Sequence, residues 1–345
     1  MFSPLNLTQY QYAQKMSSLL GRGHRPASLL YREFLREGTL DGKNPAFTSA
    51  TGDLLKEIVE NTDTTTLSLD EKHEEGDTVK IVFKTHDDKK IESVVVPMTS
   101  GKTLCISSQV GCRMHCAFCQ TGRMGLIRNL TTEEIVSQAF LAKVVYGYDI
   151  KNIVFMGMGE PFDNYDAVMQ AVEVLIDQGG LAFGAKNVSV STCGDVEGIY
   201  RFIEDAPPSL NLAVSLNAAN DALRANLMPV AAKYSMAEIY RALEEYCNSA
   251  PKRKVLIGYV LIKGVNDTKE DADALAEYLR GLDVKINVIP YNDHTIKSFE
   301  APENKAVEAF ASRLHKNGYI TIVRQRKGDA IMAACGQLGN KRTAL

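Results

Sequence analysis

Thr103-Leu104-Cys105-Ile106-Ser107-Ser108-Gln109-Val110-Gly111-Cys112-Arg113-Met114-His115-Cys116-Ala117-Phe118-Cys119 decides how this chain is read. It begins as a short apolar segment and ends in three thiols spaced C-x3-C-x2-C. Thiolates bind soft metals such as zinc or the irons of an iron–sulfur cluster. Three ligands are one short of the four used by closed zinc sites and ordinary clusters. A cubane held by Cys112, Cys116 and Cys119 leaves one iron open to a substrate. A structural zinc completed by His115 or a distant ligand is the rival reading, but His115 adjoins Cys116 and is badly placed to serve the same ion. Three buried cysteines acting as small hydrophobes fit poorly with the flanking Gly111, Gly122 and Gly125.

Outward from this stretch the pattern is strand, then helix, repeated. The expected strands are 103–108, 152–156, 187–191, 210–215, 255–261 and 285–289. The expected helices are 133–146, 165–177, 196–203, 236–247, 269–279 and 305–316, the first opened by a capping box at Thr131-Thr132-Glu133-Glu134. Six βα units imply an α/β fold with a parallel sheet and helices outside. An open doubly wound sheet and a partial barrel both satisfy the periodicity. Either places ligands at the carboxyl ends of the strands. The motifs fall there: the cysteine loop, Gly157 to Pro161, Ser191, Ser215-Leu216-Asn217, and Pro290-Tyr291-Asn292.

Residues 1–90 read differently, with helical periodicity at 31–37 and 49–59 and alternating strands at 77–85 and 90–96 joined by Asp87-Asp88-Lys89. A small helical and β-hairpin accessory domain at 1–90 is expected, followed by a catalytic core at 91–345. The 345 residues are 45% hydrophobic and 23% charged, as in a soluble globular protein. No apolar run approaches the roughly 20 residues of a membrane span, and Met1 to Lys15 lacks a signal-peptide core. Seven cysteines, an odd number, do not suggest a secreted disulfide framework. A reducing, cytoplasmic setting is expected. A net charge of −3 excludes a strongly basic, non-specific nucleic-acid binder. Local positive spots are Arg22 and Arg25, Lys252 to Lys254, Arg324 to Lys327, and Lys341 with Arg342; singly, each reads as a solvated charged face. With no Trp, base stacking would fall to Phe, Tyr or Arg.

The cysteine run, with Phe118 before its last thiol, resembles the radical S-adenosylmethionine (SAM) superfamily. Thr103 to Cys112, Met156-Gly157-Met158-Gly159-Glu160-Pro161 and Ala333-Ala334-Cys335-Gly336-Gln337-Leu338 resemble its dual-specificity RNA adenine methyltransferases. Those enzymes methylate adenosine C2 in 23S ribosomal RNA, and some members tRNA; the sister Cfr-type enzymes methylate C8. Met156 to Glu160 is common to both groups, Pro161 is found with the C2 group, and Phe155 and Leu227-Met228-Pro229 resemble the C8 group.

The resemblance implies a partial (β/α)6 radical SAM barrel, RNA binding by the N-terminal region, a [4Fe-4S] cluster on Cys112, Cys116 and Cys119, and SAM on its open iron. It implies SAM contacts from Gly159, Glu160, Ser191, Ser215, Leu216, Asn217 and Asn292, with Asn217 standing where relatives usually carry histidine. It also implies a methyl-carrying Cys335, a resolving Cys105 that forms a disulfide with it, and Glu92 as acceptor of the ring proton. Taken alone, Glu92 reads as an exposed strand carboxylate, Cys105 as a core thiol, and Cys335 as part of a buried apolar loop. The partners so implied are RNA and an electron donor such as flavodoxin, with the chain a monomer. Cys193 and Cys247 match no role and read as structural. The chemistry explains two thiols far apart in sequence: an aromatic carbon has almost no nucleophilic character, so a methyl must reach it by radical addition rather than by polar displacement. A divergent radical SAM enzyme acting on another RNA or on a peptide explains the cluster without that thiol pair, and a non-catalytic zinc protein that binds RNA explains neither.

Overall fold

The computed structural model describes residues 1–42, 47, 52–99, 101–229, 233–292, 298–325, 327–328 and 330–339. Arg326, Asp329, Lys341, Arg342, the start of the helix expected at 49–59 and the segment directly after Asn292 lie outside the described residues.

Three N-terminal helices, α1 (Gln9–Leu20), α2 (His24–Glu37) and α3 (Gly52–Glu60), precede three strands, β1 (Ser68–Glu75), β2 (Thr78–Lys84) and β3 (Lys90–Met98). Then come β4 (Gly101–Cys105), β5 (Gln109–Cys112), α4 (Gln120–Arg123), β6 (Gly125–Asn129), α5 (Thr132–Phe140), β7 (Ile150–Phe155), α6 (Tyr165–Ile176), β8 (Val188–Thr192) and α7 (Val196–Asp205). The chain continues through β9 (Asn211–Ser215), α8 (Asp221–Leu227), α9 (Met236–Asn248), β10 (Val255–Leu261), α10 (Lys269–Tyr278), β11 (Val284–Pro290), α11 (Asn304–Lys316) and β12 (Ile320–Val323).

Among the described residues one sheet runs β1-β2-β3-β4-β7-β8-β9-β10-β11-β12. From β4 to β12 every neighbour is parallel, with Leu104 opposite Ile153, Ile153 opposite Val188 and Ile257 opposite Val214. All six expected strands are present, and β12 adds a seventh. It is short and its side chains are largely exposed; the β-branched run Ile320-Thr321-Ile322-Val323 was the strand signal for it. The first and last parallel strands are not neighbours, which leaves the barrel open. The core is continuous, with Leu104, Ile153, Val188, Leu212, Ile257 and Ile286 all buried.

The expected hairpin is extended by β1, whose residues are exposed along its whole length, so it carries no alternating apolar signal. This three-stranded unit is antiparallel and joins the parallel sheet through β3 against β4. The expected capping box is present. Thr131 Oγ1 accepts from Glu134 N at 3.3 Å, and Glu134 Oε2 accepts from Thr131 N at 3.0 Å, satisfying two otherwise orphaned donors. The helix it opens ends in one π-turn at Leu141–Val145. No helix of the described residues is long and apolar enough to cross a membrane.

Candidate active site

The cysteine loop does not follow β4 directly. After Cys105 the chain makes a separate hairpin, β5 with β6, that pairs Cys112 with Gly125 and carries the other thiols on its connection. The hairpin depends on Gly111, whose φ is +76° and whose added Cβ would lie 1.9 Å from the Gly125 carbonyl oxygen. Gly111→Ala should therefore cost about 2–4 kcal/mol, combining left-handed strain with a backbone clash, read as a lowered thermal midpoint.

The connection is tied down at three points. Ala117 N donates to Leu227 O at 2.8 Å, Cys119 N to Cys116 O at 3.0 Å, and Gln120 N to Gly336 O at 2.7 Å. Burial raises all three thiols, Cys112 to about 12, and Cys116 is raised further by the charges of Cys119 and Cys112. Three crowded thiols that resist ionisation on their own become thiolates when a bound cation supplies the compensating charge. Among the described residues, the group of three metal-type donors drawn within 4.8 Å of one another is His86, Asp87 and Glu134, not these cysteines. A single zinc, with bonds of about 2.3 Å, would pull sulfurs closer than that. The wider thiol set suits a polynuclear cluster. Arg128 already bridges Asp87 and Glu134 at 2.6 and 2.7 Å, so that acidic group is a salt-bridge node.

The loops after the other parallel strands converge beside these thiols. Gly159 has φ +105°, and a Cβ there would lie 2.6 Å from Gln109 Cβ. Glu160 is buried, and burial pushes its carboxyl up to about 7. Its Oε2 accepts from Cys193 N at 2.9 Å and its Oε1 from Phe162 N at 3.3 Å, while its own N donates to Gln109 Oε1 at 2.9 Å. The Ser191 hydroxyl, next to the end of β8, donates to Phe155 O at 2.5 Å. Ser215 ends β9, and Leu216 N donates to Gly258 O at 3.0 Å.

Asn217 is turned inward at φ +60°. Its Oδ1 accepts from Val260 N at 2.8 Å, its Nδ2 donates to Met228 Sδ at 3.1 Å, and its carbonyl accepts from Asn266 Nδ2. This amide is spent on the protein itself. Asn292 differs: Nδ2 donates to Cys335 O at 3.3 Å, while the buried Oδ1 has no hydrogen-bond partner among the described residues. An orphaned buried acceptor costs about 1–3 kcal/mol, so a ligand donor at this position would be favoured. With three thiols, a buried carboxylate and close-approach glycines beside it, the residues fit a cluster and SAM.

The segment bearing Cys335 packs against the cysteine loop. Besides the Gln120–Gly336 bond, Thr121 Oγ1 donates to Leu338 O at 2.5 Å. Cys335 is exposed rather than buried in an apolar loop. Surrounding protein still raises its thiol by desolvation, opposed by the positive charge of Arg324 and reinforced by Cys119. Together these describe a thiol in a water-accessible depression within the protein, beside the loop cysteines. Cys105, the last residue of β4, is half-buried, and after desolvation the charge of Cys335 is the next influence that raises it. Both are free thiols. Glu92 is buried, not exposed as its strand position suggested, and pairs with Lys80 at 3.0 Å.

The Radical SAM superfamily pattern matches residues 106–279. The chain is 51% identical over 338 residues to the probable dual-specificity RNA methyltransferase RlmN 1 of Protochlamydia amoebophila, covering 98% of this chain and 94% of that protein. It is 40% identical over 337 residues to the dual-specificity RNA methyltransferase RlmN of Anaeromyxobacter dehalogenans, covering 94% and 89%. This chain belongs to the radical SAM dual-specificity RNA methyltransferase family. The crystal structure of a radical SAM methyltransferase from Sphaerobacter thermophilus superposes with a TM-score of 0.89 at 35% identity, over 98% of this chain and 99% of that one. The radical SAM fold is thus established together with the family.

In this member of the dual-specificity methyltransferases, sequence patterns missed several residues at the rim. Gln109 holds Glu160 N with one end, while its other end donates to Asn129 Oδ1 at 2.8 Å and Asp163 Oδ2 at 2.7 Å. Cys193, expected to be merely structural, packs with Phe118, Cys116 and Cys119 and gives its backbone N–H to Glu160. Buried Arg224 donates to Cys193 O at 2.5 Å. Gln109 lies inside the Thr103–Cys112 string but was given no role there; Cys193 and Arg224 belong to no local motif, and a buried polar residue beside a motif loop was the available signal. Cys247 lies away from this group, with its thiol donating to Asp283 O at 3.5 Å. Of the basic spots, Lys254 pairs with Asp283 at 2.5 Å and Arg253 is buried against Tyr246, so Arg253 is not available to a phosphate.

Proposed function

We propose that this chain methylates C2 of an adenosine in 23S ribosomal RNA, and in tRNA as a second substrate, by way of a methyl group carried on Cys335. Family membership carries the coarse activity, that of a SAM-dependent RNA methyltransferase. The finer reading is supported by one observation above the rest. The fold brings Cys335, on the segment bonded to the Cys112–Cys119 loop, near enough to Cys105, 230 positions away, for its charge to raise the Cys105 thiol. A radical SAM enzyme that maturates a peptide has no use for that pair.

The cluster would be held by Cys112, Cys116 and Cys119, and SAM by Glu160, Asn292 and the backbone at Gly159, Ser191 and Ser215 to Asn217; together they supply one-electron cleavage that yields an adenosyl radical. Glu160 would receive the cofactor's ammonium, which favours the charged carboxylate that burial now disfavours. Arg324 favours the Cys335 thiolate, and the thiolate is the form that takes a methyl group. Glu92, buried beside the segment that carries Cys335, would accept the ring proton. The Cys105 thiolate would attack the Cys335 sulfur and break its bond to the transferred carbon, which leaves with the bonding pair, takes up a proton and becomes the methyl group of the released base. The exposed cations Lys15, Arg22, Arg25 and Arg32 of the N-terminal helices are the phosphate contacts we assign to residues 1–90. The target base must leave its stack to reach the rim.

Nucleosides from 23S RNA treated with the reconstituted enzyme and SAM, separated and weighed by mass spectrometry, test this. The expected product is 2-methyladenosine. An 8-methyladenosine product would overturn the regiochemistry, and unmethylated adenosine alongside cleaved SAM would overturn the RNA reading.

A further inference from the structure

Lys80 and Glu92 sit diagonally on one face of β2 and β3, since Lys80 pairs with Val94 and Val82 with Glu92. Their charged atoms are 3.0 Å apart, and the side chains are only 10% and 4% exposed. A buried ion pair of this kind is seldom worth more than apolar residues of the same size. What distinguishes this one is where its remaining hydrogen bonds go. Lys80 Nζ donates to Met332 O at 3.2 Å, and Glu92 Oε2 accepts from Gly339 N at 3.2 Å. Those main-chain groups bracket Cys335, three residues before it (335 − 332) and four after it (339 − 335).

The bracketed segment has a tight turn of its own, with Gln337 N donating to Ala334 O at 3.0 Å and Ala334 N to Gln337 Oε1 at 3.0 Å, but its ends at Met332 and Gly339 lie outside that turn. Met332 lies at φ +54°, Gly336 at +83° and Gly339 at +131°. A methionine in the left-handed region costs of order 1–3 kcal/mol and persists only when its surroundings impose it. The segment has other anchors, from Asn292, Gln120 and Thr121 to the carbonyls of Cys335, Gly336 and Leu338, and the other charged side chains nearby bind outside Met332–Gly339. Glu75 accepts from Ala330 N at 2.8 Å, Lys327 donates to Pro97 O at 2.5 Å, and Arg324 reaches Met98 Sδ at 4.0 Å. Among these contacts, only the Lys80–Glu92 pair grips the strap on both sides of Cys335.

We propose that Lys80 and Glu92 form a latch that holds the Cys335 segment docked, with Lys80 as its positioning residue, and that the latch opens when Glu92 takes up a proton. The release step rests on the reading of Glu92 as the ring-proton acceptor; the latch itself does not. Ionised Glu92 gives Gly339 N and Lys80 charge-assisted partners, about twice as strong as neutral ones. When the proton leaves the base carbon for the Glu92 carboxylate, the Gly339 bond loses that assistance and Lys80, still an ammonium, loses its anionic anchor. The strap is then freest once methyl transfer has committed and Cys335 must turn to Cys105.

The test measures hydrogen exchange of the 330–339 backbone in the reconstituted full-length enzyme. Glu92→Gln imitates the protonated acid, Lys80→Met removes the cation, and Lys80→Arg keeps the charge. Exchange should rise about tenfold in Glu92→Gln and Lys80→Met, the equivalent of one charge-assisted hydrogen bond, and stay within about twofold of native in Lys80→Arg. In parallel, Lys80→Met should lower kcat for methylation while leaving KM for SAM unchanged, with Lys80→Arg restoring it. The double replacement Lys80→Met with Glu92→Leu supplies an apolar pair for the case in which a single change unfolds the chain, and should show the same loosened strap. Native-like exchange at 330–339 in a folded variant lacking the pair overturns the latch. Loosening in Lys80→Met but not in Glu92→Gln overturns release by protonation. Because exchange is read without RNA, a failure of the proposed substrate leaves this result readable.

Discussion

Cys335→Ala protein should bind its cluster, cleave SAM and yield no methylated adenosine, a loss on the order of 10⁴-fold or more, as expected when the nucleophile of a covalent route is removed. The side chain is exposed and its neighbours are held through main-chain bonds at Gly336 and Leu338, so the substitution opens no core cavity and stability should move by less than about 0.5 kcal/mol. Cys105→Ala should abolish turnover to a similar degree but for the opposite reason. With Cys335 intact the methyl still reaches the base, and without Cys105 the bond between protein and RNA cannot be resolved. A covalent protein–RNA adduct should therefore accumulate in denaturing gels for Cys105→Ala and be absent for Cys335→Ala and for the double variant. If Cys335→Ala still forms product, methyl relay is wrong and a direct radical reaction on another substrate gains ground. An adduct missing from Cys105→Ala would remove Cys105 from the resolving role while leaving Cys335 its own.

The second large effect concerns the loop thiols. Cys116→Ala, reconstituted anaerobically with iron and sulfide, should lose the brown colour and bind iron no better than unreconstituted protein. Cys193→Ala should retain its iron. This contrast is sharp because Cys193 packs beside Cys116 and could in principle replace it. Its backbone N–H is committed to Glu160 and its carbonyl to Arg224, which fixes it on the wall of the site rather than on the β5–β6 hairpin that carries the three ligands. Metal binding and local folding are coupled in such loops, so Cys116→Ala should also loosen the Gln120–Gly336 contact and expose the Cys335 segment to protease. Retained iron in Cys116→Ala would show that Cys193 completes the set; a colourless native protein carrying zinc would remove the cluster altogether.

The expected helices at 165–177, 236–247, 269–279 and 305–316 differ from the observed ones by one residue at an end, because each carries its own 3.6-residue apolar stripe, and those at 236 and 269 open on capping boxes at Ser235 and Thr268. The strands from β7 to β11 were readable because residues buried by packing on both faces leave short apolar runs. The β5–β6 hairpin was not, since its pairing depends on a glycine contact across the loop rather than on alternation. Helix α1 was missed for a related reason: its buried side is only Tyr12, Ala13 and Met16, too thin a stripe to stand out. At the site, Cys112, Cys116 and Cys119 were legible from spacing, and Gly159 and Glu160 from the family resemblance of Met156 to Pro161. Lys80 and Cys193 were not, because nothing in their immediate neighbours distinguishes them from ordinary strand or loop residues; Gln109 stood inside the quoted string, but its partners Glu160 and Asp163 lie 51 and 54 positions away.

Local order along the chain was therefore enough for the cluster loop, the alternation of strand and helix, and the strand ends where ligands gather, since spacing and periodicity act within a few residues. Only the packed molecule decided which distant groups meet. The Lys80–Met332 and Glu92–Gly339 bonds span 252 and 247 positions. They exist because one sheet carries an antiparallel edge past the carboxyl ends of its parallel strands, and burial there forces a charged pair to find its remaining partners in the main chain of the last segment.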